Sequence, residues 1–347
     1  MRMSQKLVFH KSKCICAIKC ILSTTAMYVS SSSFMYLSIP CYCDACLNSS
    51  ALRVGVTTLL NTIHAYYIES VLPPGMGAYR SHRETWINPA MVAANIWDGF
   101  EERDNTLLVA LDLEDVYNRV WLPILADRML QLGISVFWVR RVISALNTRR
   151  CMIKHRTWRS DWIPTSTGLP QGSSLSPVLL NIYTLPLARL NQPHCRLRTF
   201  VDDILVSCRG ISAQDMIDLI SPNLHNIEAN YECSGMYCSG EKAEAMLCTL
   251  NNRLQPSSFP PIRYDGQEIR VSGILCHLGV IFDRQLNFSE HVSSVLHRGI
   301  KAANILKVAA GRKAEERHLV MLYKSLSSLL STTLCLWSTS ARTSRAN

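Results

Sequence analysis

The chain has 347 residues, of which 36 are Lys or Arg and 26 are Asp or Glu, so its formal net charge at pH 7 is +10. A chain of this length can bury a substantial core and is expected to form two or three subdomains. No internal repeat is present, which excludes a repeat architecture. The basic excess favours a polyanionic partner, although a basic soluble protein without one would show the same charge.

Residues 1–50 form an N-terminal segment rich in cysteine and serine. Cys41, Cys43 and Cys46 lack a fourth ligand at a regular spacing, so a zinc site is not favoured. The cysteines scattered further along the chain are expected to be reduced core residues of an intracellular protein. Residues 20–39 carry no charge and could span a bilayer, but their polar centre weakens that interpretation. We therefore expect residues 1–50 to be an extension outside the main fold, with a membrane anchor as the alternative.

The first predicted elements are an amphipathic helix over residues 91–102 and a buried strand over residues 107–111. The strand ends in Asp112, and Glu114 and Asp115 follow it. A buried strand that presents a carboxylate at its C-terminal end is a rigid support for a metal ligand. Asp115 falls near the start of the next helix, where a phosphate is also favoured. An ordinary helix-terminal charge is the alternative interpretation of Asp115.

Two helices are predicted next, over residues 120–132 and 135–146, followed by a hairpin within residues 152–163. Cationic and aromatic side chains are interleaved in this region: Trp138, Arg140, Arg141, Arg149, Arg150, Lys154, His155, Arg156, Trp158 and Trp162. Such a mixture suits backbone and base contacts on a nucleic-acid template. The alternative is that the tryptophans belong to the core.

A loop rich in glycine, proline and serine covers residues 168–177 and precedes a predicted helix over residues 177–189. Its glycines flank Leu-Pro-Gln and allow the backbone to approach a flat ligand closely. Its serines offer helix caps, and Pro177 is tolerated in the first turn of the helix. Most such loops are only turns, so the position of this one between two acidic segments carries the interpretation.

The sequence Phe200-Val201-Asp202-Asp203 predicts a hairpin with an acidic tip, because apolar stretches lie on both sides of the acid pair. Adjacent carboxylates raise each other's pKa unless a cation lies between them. Mg²⁺ is the expected cation, since it binds one or two carboxylates together with substrate phosphates. A solvated turn is the alternative for the pair considered alone.

The remaining elements are a helical region over residues 212–236, a strand over residues 243–250, and helices over residues 292–309 and 315–330. Strands alternating with long helical crossovers predict an α+β fold in which helices cover one face of an antiparallel sheet.

Three segments in this order resemble motifs A, B and C of reverse transcriptases: residues 112–120, 168–177 and 200–203. The style is that of non-LTR retrotransposons, LINE-type elements such as the jockey group. Two weaker matches follow, since residues 240–246 resemble the motif D region with its lysine and residues 277–283 resemble the primer grip. Residues 72–85 look like the fingers segment of the family. The resemblance covers roughly residues 65–310.

The sequence departs from the pattern of this family at several positions. Val116 stands where the family usually has alanine, and Phe200-Val201 replaces the commoner Tyr-Ala or Phe-Ala. His82 occupies the place of a glycine in the fingers segment, and His277 that of a tyrosine in the primer grip. Residues 1–64 contain no Arg-Pro-Ile motif, so the fingers are expected to be incomplete.

The resemblance implies a polymerase right-hand fold of the α+β class, with a palm of antiparallel sheet backed by helices, incomplete fingers and a truncated helical thumb. The expected organisation is an extension over residues 1–50, fingers and palm over residues 51–283, and a partial thumb or connection over residues 284–347. No endonuclease or ribonuclease H signature is visible.

The implied activity is RNA-directed DNA polymerisation by two-metal nucleotidyl transfer, with Mg²⁺, or alternatively Mn²⁺, as the cofactor. The expected catalytic residues are Asp112, Asp202, Asp203 and Lys242, of which the three aspartates are the metal ligands. The expected substrate-binding residues are Arg80, Arg83, Asp115, Tyr117, Gln171 and Gly172. The implied partners are an RNA template, a DNA primer and deoxynucleoside triphosphates, in the nucleus or cytoplasm and without a membrane. The competing hypothesis is a catalytically inactive, nucleic-acid-binding remnant of such a polymerase.

Overall fold

The structure is a computed structural model that describes residues 71–80, 83–155, 158–173, 175–190, 194–312 and 314–325. The predicted extension with its uncharged segment, the region without an Arg-Pro-Ile motif up to residue 64, and residues 326–347 lie outside the described residues. In the described part of the chain, no helix is both long and apolar enough to cross a membrane.

Within the described residues, the α-helices agree with the predicted ones to within four residues at each end, except that the short helix over residues 116–119 was not predicted. They are Ile87–Glu101 (α1), Val116–Arg119 (α2), Leu122–Gln131 (α3), Val136–Asn147 (α4), Ser176–Ala188 (α5), Ala213–Glu232 (α6) and Ser289–Gly311 (α7). Residues 316–325 are also helical. The first helix starts earlier than predicted because Pro89 lies in its first turn, where its missing N–H costs nothing.

The strands include the predicted ones and several short strands that the pattern did not indicate. They are Asn105–Asp112 (β1), Arg150–Cys151 (β2), Lys154–His155 (β3), Trp158–Arg159 (β4), Ile163–Pro164 (β5), Cys195–Phe200 (β6), Asp203–Gly210 (β7), Glu244–Cys248 (β8), Ile262–Tyr264 (β9), Gln267–Ile269 (β10), Val271–Ser272 (β11), Ile274–His277 (β12) and Val280–Asp283 (β13). The chain is therefore α+β, as predicted.

The chain divides into two compact units that are discontinuous in sequence. Of the described residues, the first contains those within 71–72, 115–185 and 234–236, and the second contains those within 73–114, 186–233 and 237–325. The predicted boundaries at residues 50 and 283 stay predictions.

A five-stranded sheet in the order β11-β8-β1-β7-β6 forms the centre of the second unit. Its middle strand β1 pairs antiparallel with both β7 and β8. The apolar run Leu107–Val109 is fully buried because this strand has neighbours on both edges and is covered on both faces. The edge strand β11 runs parallel to β8, so the prediction of a wholly antiparallel sheet is wrong at that edge.

The hydrophobic core on one face of the sheet joins α1 to the hairpin β12–β13 and the start of α7. Its fully buried members include Ile96, Leu108, Met246 and Phe282. Side chains of the Leu, Ile or Phe type contribute about 1.5–3 kcal/mol each when they are fully buried. This packing connects the hairpin of residues 274–283 to the strand that carries Asp112.

Helix α6 follows β7 and begins with a capping box. The Ser212 hydroxyl accepts a hydrogen bond from the Asp215 N–H, and the Asp215 carboxylate accepts one from the Ser212 N–H. The two reciprocal bonds satisfy backbone donors that the first turn would otherwise leave unpaired. The helix then buries Met216, Ile220 and Leu224, and Pro222 does not interrupt it.

Two of the scattered cysteines form a cross-strand disulfide. Cys195 on β6 lies directly opposite Cys208 on β7, with a Cα–Cα distance of 4.3 Å, and their sulfur atoms are bonded. The expectation that all scattered cysteines are reduced is therefore wrong for this pair. The strand register brings the two residues together across 13 positions of sequence, which the cysteine spacing alone did not indicate.

In the first unit, the loop after β5 packs against helix α2. The Gly168 N–H donates to the Val120 carbonyl, and the Leu169 N–H donates to the Tyr117 carbonyl at 2.6 Å. Gly168 has a φ of +75°, and a Cβ atom placed on it would lie 2.8 Å from both the Asn118 Cα and the Tyr117 carbonyl oxygen. Only glycine adopts this positive φ without strain and has no Cβ to clash with the neighbouring backbone. The packing against residues 117–118 therefore requires a glycine at position 168.

Replacing Gly168 with alanine should destabilise the protein by about 2–4 kcal/mol, because it combines backbone strain with a clash against backbone atoms. Gly172→Ala is the matched control, since Gly172 has a φ of +87° but no atom within 4 Å of its Cβ position. We expect that control to cost only about 1 kcal/mol. Urea unfolding of both variants measures the difference, and equal losses would contradict the close packing of Gly168.

Candidate functional site

The first site carboxylate, Asp112, is the last residue of β1. It lies opposite Asp203 in the antiparallel register with β7. The strand before it is buried, whereas the Asp112 side chain is 39% exposed. The buried strand therefore holds Asp112 and Asp203 side by side at one end of the sheet. The sequence patterns predicted the two positions separately, with Asp112 at the end of a strand and the acid pair at the tip of a hairpin.

Asp202 lies in the tight turn that joins β6 to β7. Because Phe200 pairs with Asp203, the turn contains only Val201 and Asp202. Val201 has a φ of +61°, a left-handed conformation that is rare for a β-branched residue and costs about 1–3 kcal/mol. The Asp202 carbonyl accepts a hydrogen bond of 3.0 Å from the Leu113 N–H, which ties the turn to the chain that follows Asp112.

Burial and mutual repulsion oppose ionisation of the acid pair. The pKa of Asp203 is raised to about 6, first by burial and then by the charges of Asp202 and Asp112. Burial also raises the pKa of Asp202, and the charge of Asp112 adds to this effect while backbone hydrogen bonds oppose it. A bound divalent cation would offset these costs, so the chemistry of this donor set fits Mg²⁺ or Mn²⁺. Among the described residues, however, no three acidic, histidine or cysteine side chains converge closely enough to hold a metal ion.

Lys242 supplies a positive charge to the site. Its Nζ lies 3.3 Å from Asp112 Oδ2 and 3.0 Å from Glu114 Oε1. Hydrogen bonds to Glu114 and then to Asp112 raise the pKa of Lys242, so the ammonium form is favoured. The motifs in the sequence indicate a catalytic role for Lys242 but none for Glu114. Sequence spacing could have indicated Glu114, because Asp112 and Glu114 are residues i and i+2 and such residues of an extended chain point to the same side.

The backbone fixes both ends of this ion pair. The Glu114 N–H donates to the Tyr237 carbonyl at 2.9 Å, and Leu113 forms a β-bridge with Cys238. Lys242 ends a short 3₁₀ turn that begins at Gly240. A Cβ atom on Gly240 would lie 2.8 Å from the Tyr264 carbonyl oxygen, so this turn packs closely on the hairpin β9–β10.

A cleft of about 190 Å³ lies beside these charges. Its lining residues are Ala110, Leu111, Asp112, Asp203, Ile204, Lys242, Glu244, Cys276 and His277. His277 is buried, and burial together with the nearby charge of Arg198 lowers its pKa to about 4, so its imidazole is neutral at pH 7. Cys276 and His277 reach the acids only through the packing of hairpin β12–β13, which no local sequence pattern indicates.

The other predicted substrate-binding residues of the motif A and B segments belong to the first unit. Asp115 is exposed, has a φ of +52°, and accepts a hydrogen bond of 2.6 Å from the Asn118 side chain. Tyr117 is half-buried, whereas Gln171 and Gly172 are exposed. Their roles towards a nucleotide stay predictions.

The two predicted phosphate-binding arginines lie in the second unit and are partly buried. Arg80 donates to the carbonyls of Pro73 at 2.8 Å and Met76 at 3.2 Å, so it bonds its own loop. Arg83 contacts the Met91 sulfur at 3.8 Å. A role in phosphate binding stays a prediction for both.

The predicted basic and aromatic region separates into two kinds of residue. Arg149 is buried and donates to the carbonyls of Leu146, Thr167 and Gly168, so it is a structural residue rather than a template contact. By contrast, six of the described side chains that the sequence assigned to a template surface are exposed: Arg140, Arg141, Arg150, His155, Trp158 and Trp162. The alternative that the tryptophans are core residues is wrong for Trp158 and Trp162.

The raised pKa of Asp203 predicts a specific pH dependence of stability without divalent metal. Between pH 3.8, the ordinary pKa of an aspartate, and pH about 6, the folded protein binds more protons at Asp203 than the unfolded chain does. The contribution of Asp203 to the free energy of unfolding is therefore fully present below pH 3.8 and is lost as pH rises through about 6. We expect Asp203→Asn to flatten the stability profile across this range in EDTA, as measured by urea unfolding. Asp218→Asn, an exposed carboxylate of α6, is the control, and a wild-type profile for Asp203→Asn would contradict the assignment.

The sequence of this chain is similar to those of known proteins. A family model described as reverse transcriptase (RNA-dependent DNA polymerase) matches residues 49–282. The RNA-directed DNA polymerase from mobile element jockey of Drosophila melanogaster is 24% identical over 204 residues, covering 57% of this chain and 22% of that protein. The probable RNA-directed DNA polymerase from transposon BS of the same organism is 23% identical over 275 residues, covering 77% of this chain and 30% of that protein. The chain thus spans less than a third of the length of these relatives.

Solved structures show a weaker likeness. Telomerase from Candida tropicalis in complex with a fragment of telomeric RNA matches 85% of this chain and 47% of its own, with 10% identity and a TM-score of 0.46.

Proposed function

Because the chain belongs to the reverse transcriptase (RNA-dependent DNA polymerase) family, we propose that it is the polymerase part of a non-LTR retrotransposon protein and extends a DNA primer on an RNA template. The observation that carries the proposal is the register of Asp112 opposite Asp203, with Asp202 in the adjoining turn. The part of the second unit that precedes residue 284 would belong to the palm of a right-hand polymerase, and the part that follows would belong to its partial thumb.

Each charged residue of the site has a role in this proposal. Asp112 and Asp202 would hold two Mg²⁺ ions, or alternatively Mn²⁺, and Asp203 would support them. When bound, such ions supply activation of the primer 3′-hydroxyl and neutralise the triphosphate charge. Lys242, protonated beside Asp112 and Glu114, is suited to donate a proton to the leaving pyrophosphate.

The substrate-contacting residues are assigned from the motifs. Gln171 and Gly172 would lie against the incoming nucleotide and template, and Tyr117 would lie under the sugar of a deoxynucleoside triphosphate. Asp115 would lie near the triphosphate, and Arg80 or Arg83 would contact phosphate. The Arg80 guanidinium would first have to leave the carbonyls of its own loop.

Primer extension on a primed RNA template is the direct test of this function. We expect incorporation of deoxynucleotides that depends on Mg²⁺ or Mn²⁺ and stops in EDTA. A protein that binds the primer–template but incorporates nothing with either ion would instead be the catalytically inactive remnant. The exposed arginines Arg140 and Arg141 favour nucleic-acid binding by an active polymerase and by an inactive remnant alike. Binding alone therefore does not decide between these two functions.

Binding to a primer–template duplex should persist in EDTA and weaken steeply as salt rises, because phosphate contacts release counterions. Each phosphate contact contributes about −0.9 to the slope of log K against log salt. Changing both Arg140 and Arg141 to glutamine should reduce the slope by about 2, whereas changing both to lysine should preserve it. Fluorescence anisotropy at several salt concentrations measures these slopes. A wild-type affinity that does not respond to salt would contradict the proposed surface.

A further inference from the structure

Lys242 is already bound to a residue that the proposed function assigns to metal. Its ammonium group lies 3.3 Å from Asp112 Oδ2 and 3.0 Å from Glu114 Oε1, so the two carboxylates share one cation. Both carboxylates are partly exposed, as is the lysine side chain. A divalent ion that binds Asp112 must therefore compete with a positive charge that belongs to the protein.

The arrangement of the acids agrees with this competition. Asp112, Asp202 and Asp203 influence one another electrostatically. Nevertheless, within the described part of the chain no three side chains of the metal-binding types converge on one point. The Asp112 carboxylate bonds Lys242 and does not complete a cage with the acid pair, so metal binding requires a change of partner at Asp112.

Glu114 is placed to accept the lysine when that change occurs. It is the nearer of the two carboxylates, and its backbone is held by the hydrogen bond to Tyr237. The turn that carries Lys242 is held by the close packing of Gly240 on Tyr264. The backbone at both partners is thus held by contacts that do not involve the Asp112 side chain, so the ion pair between them can persist without it.

We propose that Lys242 is an internal counter-ion of Asp112 which a divalent ion must displace, and that Glu114 is the positioning residue that retains the ammonium group after displacement. This inference rests on the proposed function, because it takes Asp112 as a metal ligand. Glu114 would act through Lys242, keeping the lysine beside the reacting phosphates.

Mn²⁺ binding to the purified protein without nucleic acid tests the inference, with the unbound ion followed by electron paramagnetic resonance. Lys242→Gln should tighten binding about two- to fivefold, the range expected when a partly exposed ion pair no longer competes. The gain should shrink at high salt, which screens the same attraction. Lys307→Gln, which removes one exposed lysine from α7, is the charge-matched control and should leave binding unchanged.

A double-mutant cycle separates the role of Glu114 from its charge alone. Glu114→Gln should weaken Mn²⁺ binding when Lys242 is present, because the lysine then pairs with Asp112 only. The same change should have a smaller effect when Lys242 is already glutamine. Glu244→Gln, at another acid that lines the cleft, reports the effect of one negative charge without this coupling.

Several outcomes would overturn the inference. Unchanged or weaker Mn²⁺ binding by Lys242→Gln would remove Lys242 as a competitor, and equal effects of Glu114→Gln in both backgrounds would remove its positioning role. Asp202→Asn distinguishes this from failure of the proposed function. If that variant loses Mn²⁺ binding while Lys242→Gln behaves as wild type, only this inference fails. If Asp202→Asn binds Mn²⁺ as wild type does, or wild type shows no binding, the proposed metal site fails as well.

Discussion

Replacing Asp112 or Asp202 with asparagine is expected to reduce primer extension by a factor of about 10³ or more, because each change removes a metal-binding charge and bound metal contributes several kcal/mol to such reactions. Asparagine keeps the shape of the side chain and hydrogen-bonding capacity at one oxygen. The fold should therefore survive both changes.

The stability of these variants gives a second readout. Burial and the charge of Asp112 raise the pKa of Asp202, so the folded protein disfavours the charged form of this residue. Removing a charge from the cluster should leave the free energy of unfolding in EDTA unchanged or raised. Circular dichroism and urea unfolding check this point beside the activity assay.

Asp218→Asn is the matched control for both variants, because Asp218 is an exposed carboxylate on α6 and the same chemical change is made there. It should keep wild-type activity. Wild-type extension by Asp112→Asn or Asp202→Asn would show that the metal assignment is wrong. Loss of activity together with unfolding would instead show that the carboxylates are structural.

Replacing Tyr117 with valine should increase ribonucleotide incorporation relative to deoxyribonucleotide incorporation by on the order of tenfold or more. The proposed function places the Tyr117 ring under the sugar of the incoming nucleotide, where its bulk would exclude a 2′-hydroxyl. A smaller side chain removes that steric exclusion.

The contact that Tyr117 makes with the glycine loop through its backbone does not depend on its side chain. Tyr117 is half-buried, and its carbonyl, rather than its ring, accepts the hydrogen bond from Leu169. The backbone contact with the glycine loop therefore survives the substitution. A core aromatic residue would instead lose about 3–5 kcal/mol of stability when truncated.

Tyr117→Phe is the matched control, since it keeps the ring and should keep the preference for deoxyribonucleotides. Competition between a ribonucleotide and the corresponding deoxyribonucleotide in single-nucleotide extension measures the ratio. The neighbouring Val116 is buried, so its bulk is part of the packing in both variants. An active, folded Tyr117→Val protein with an unchanged ratio would contradict the proposed role of the ring.

The sequence by itself determined the elements whose signals are local. An apolar run predicts β1 with Asp112 at its end, two apolar stretches around an acid pair predict the hairpin β6–β7, and the predicted helical region over residues 212–236 contains α6. Each of these depends on residues within a few positions of one another, and helix propensity and strand alternation act over that range.

Only the tertiary structure decided which of these elements meet. Strand order places Asp112 opposite Asp203, joins Cys195 to Cys208, and brings His277 to the acid cleft. Hydrophobic burial is non-directional, so an apolar pattern shows that a strand is covered but does not name its partner. The contact of Lys242 with Glu114 depends in the same way on backbone pairing between chain segments more than 100 residues apart, which no local pattern encodes.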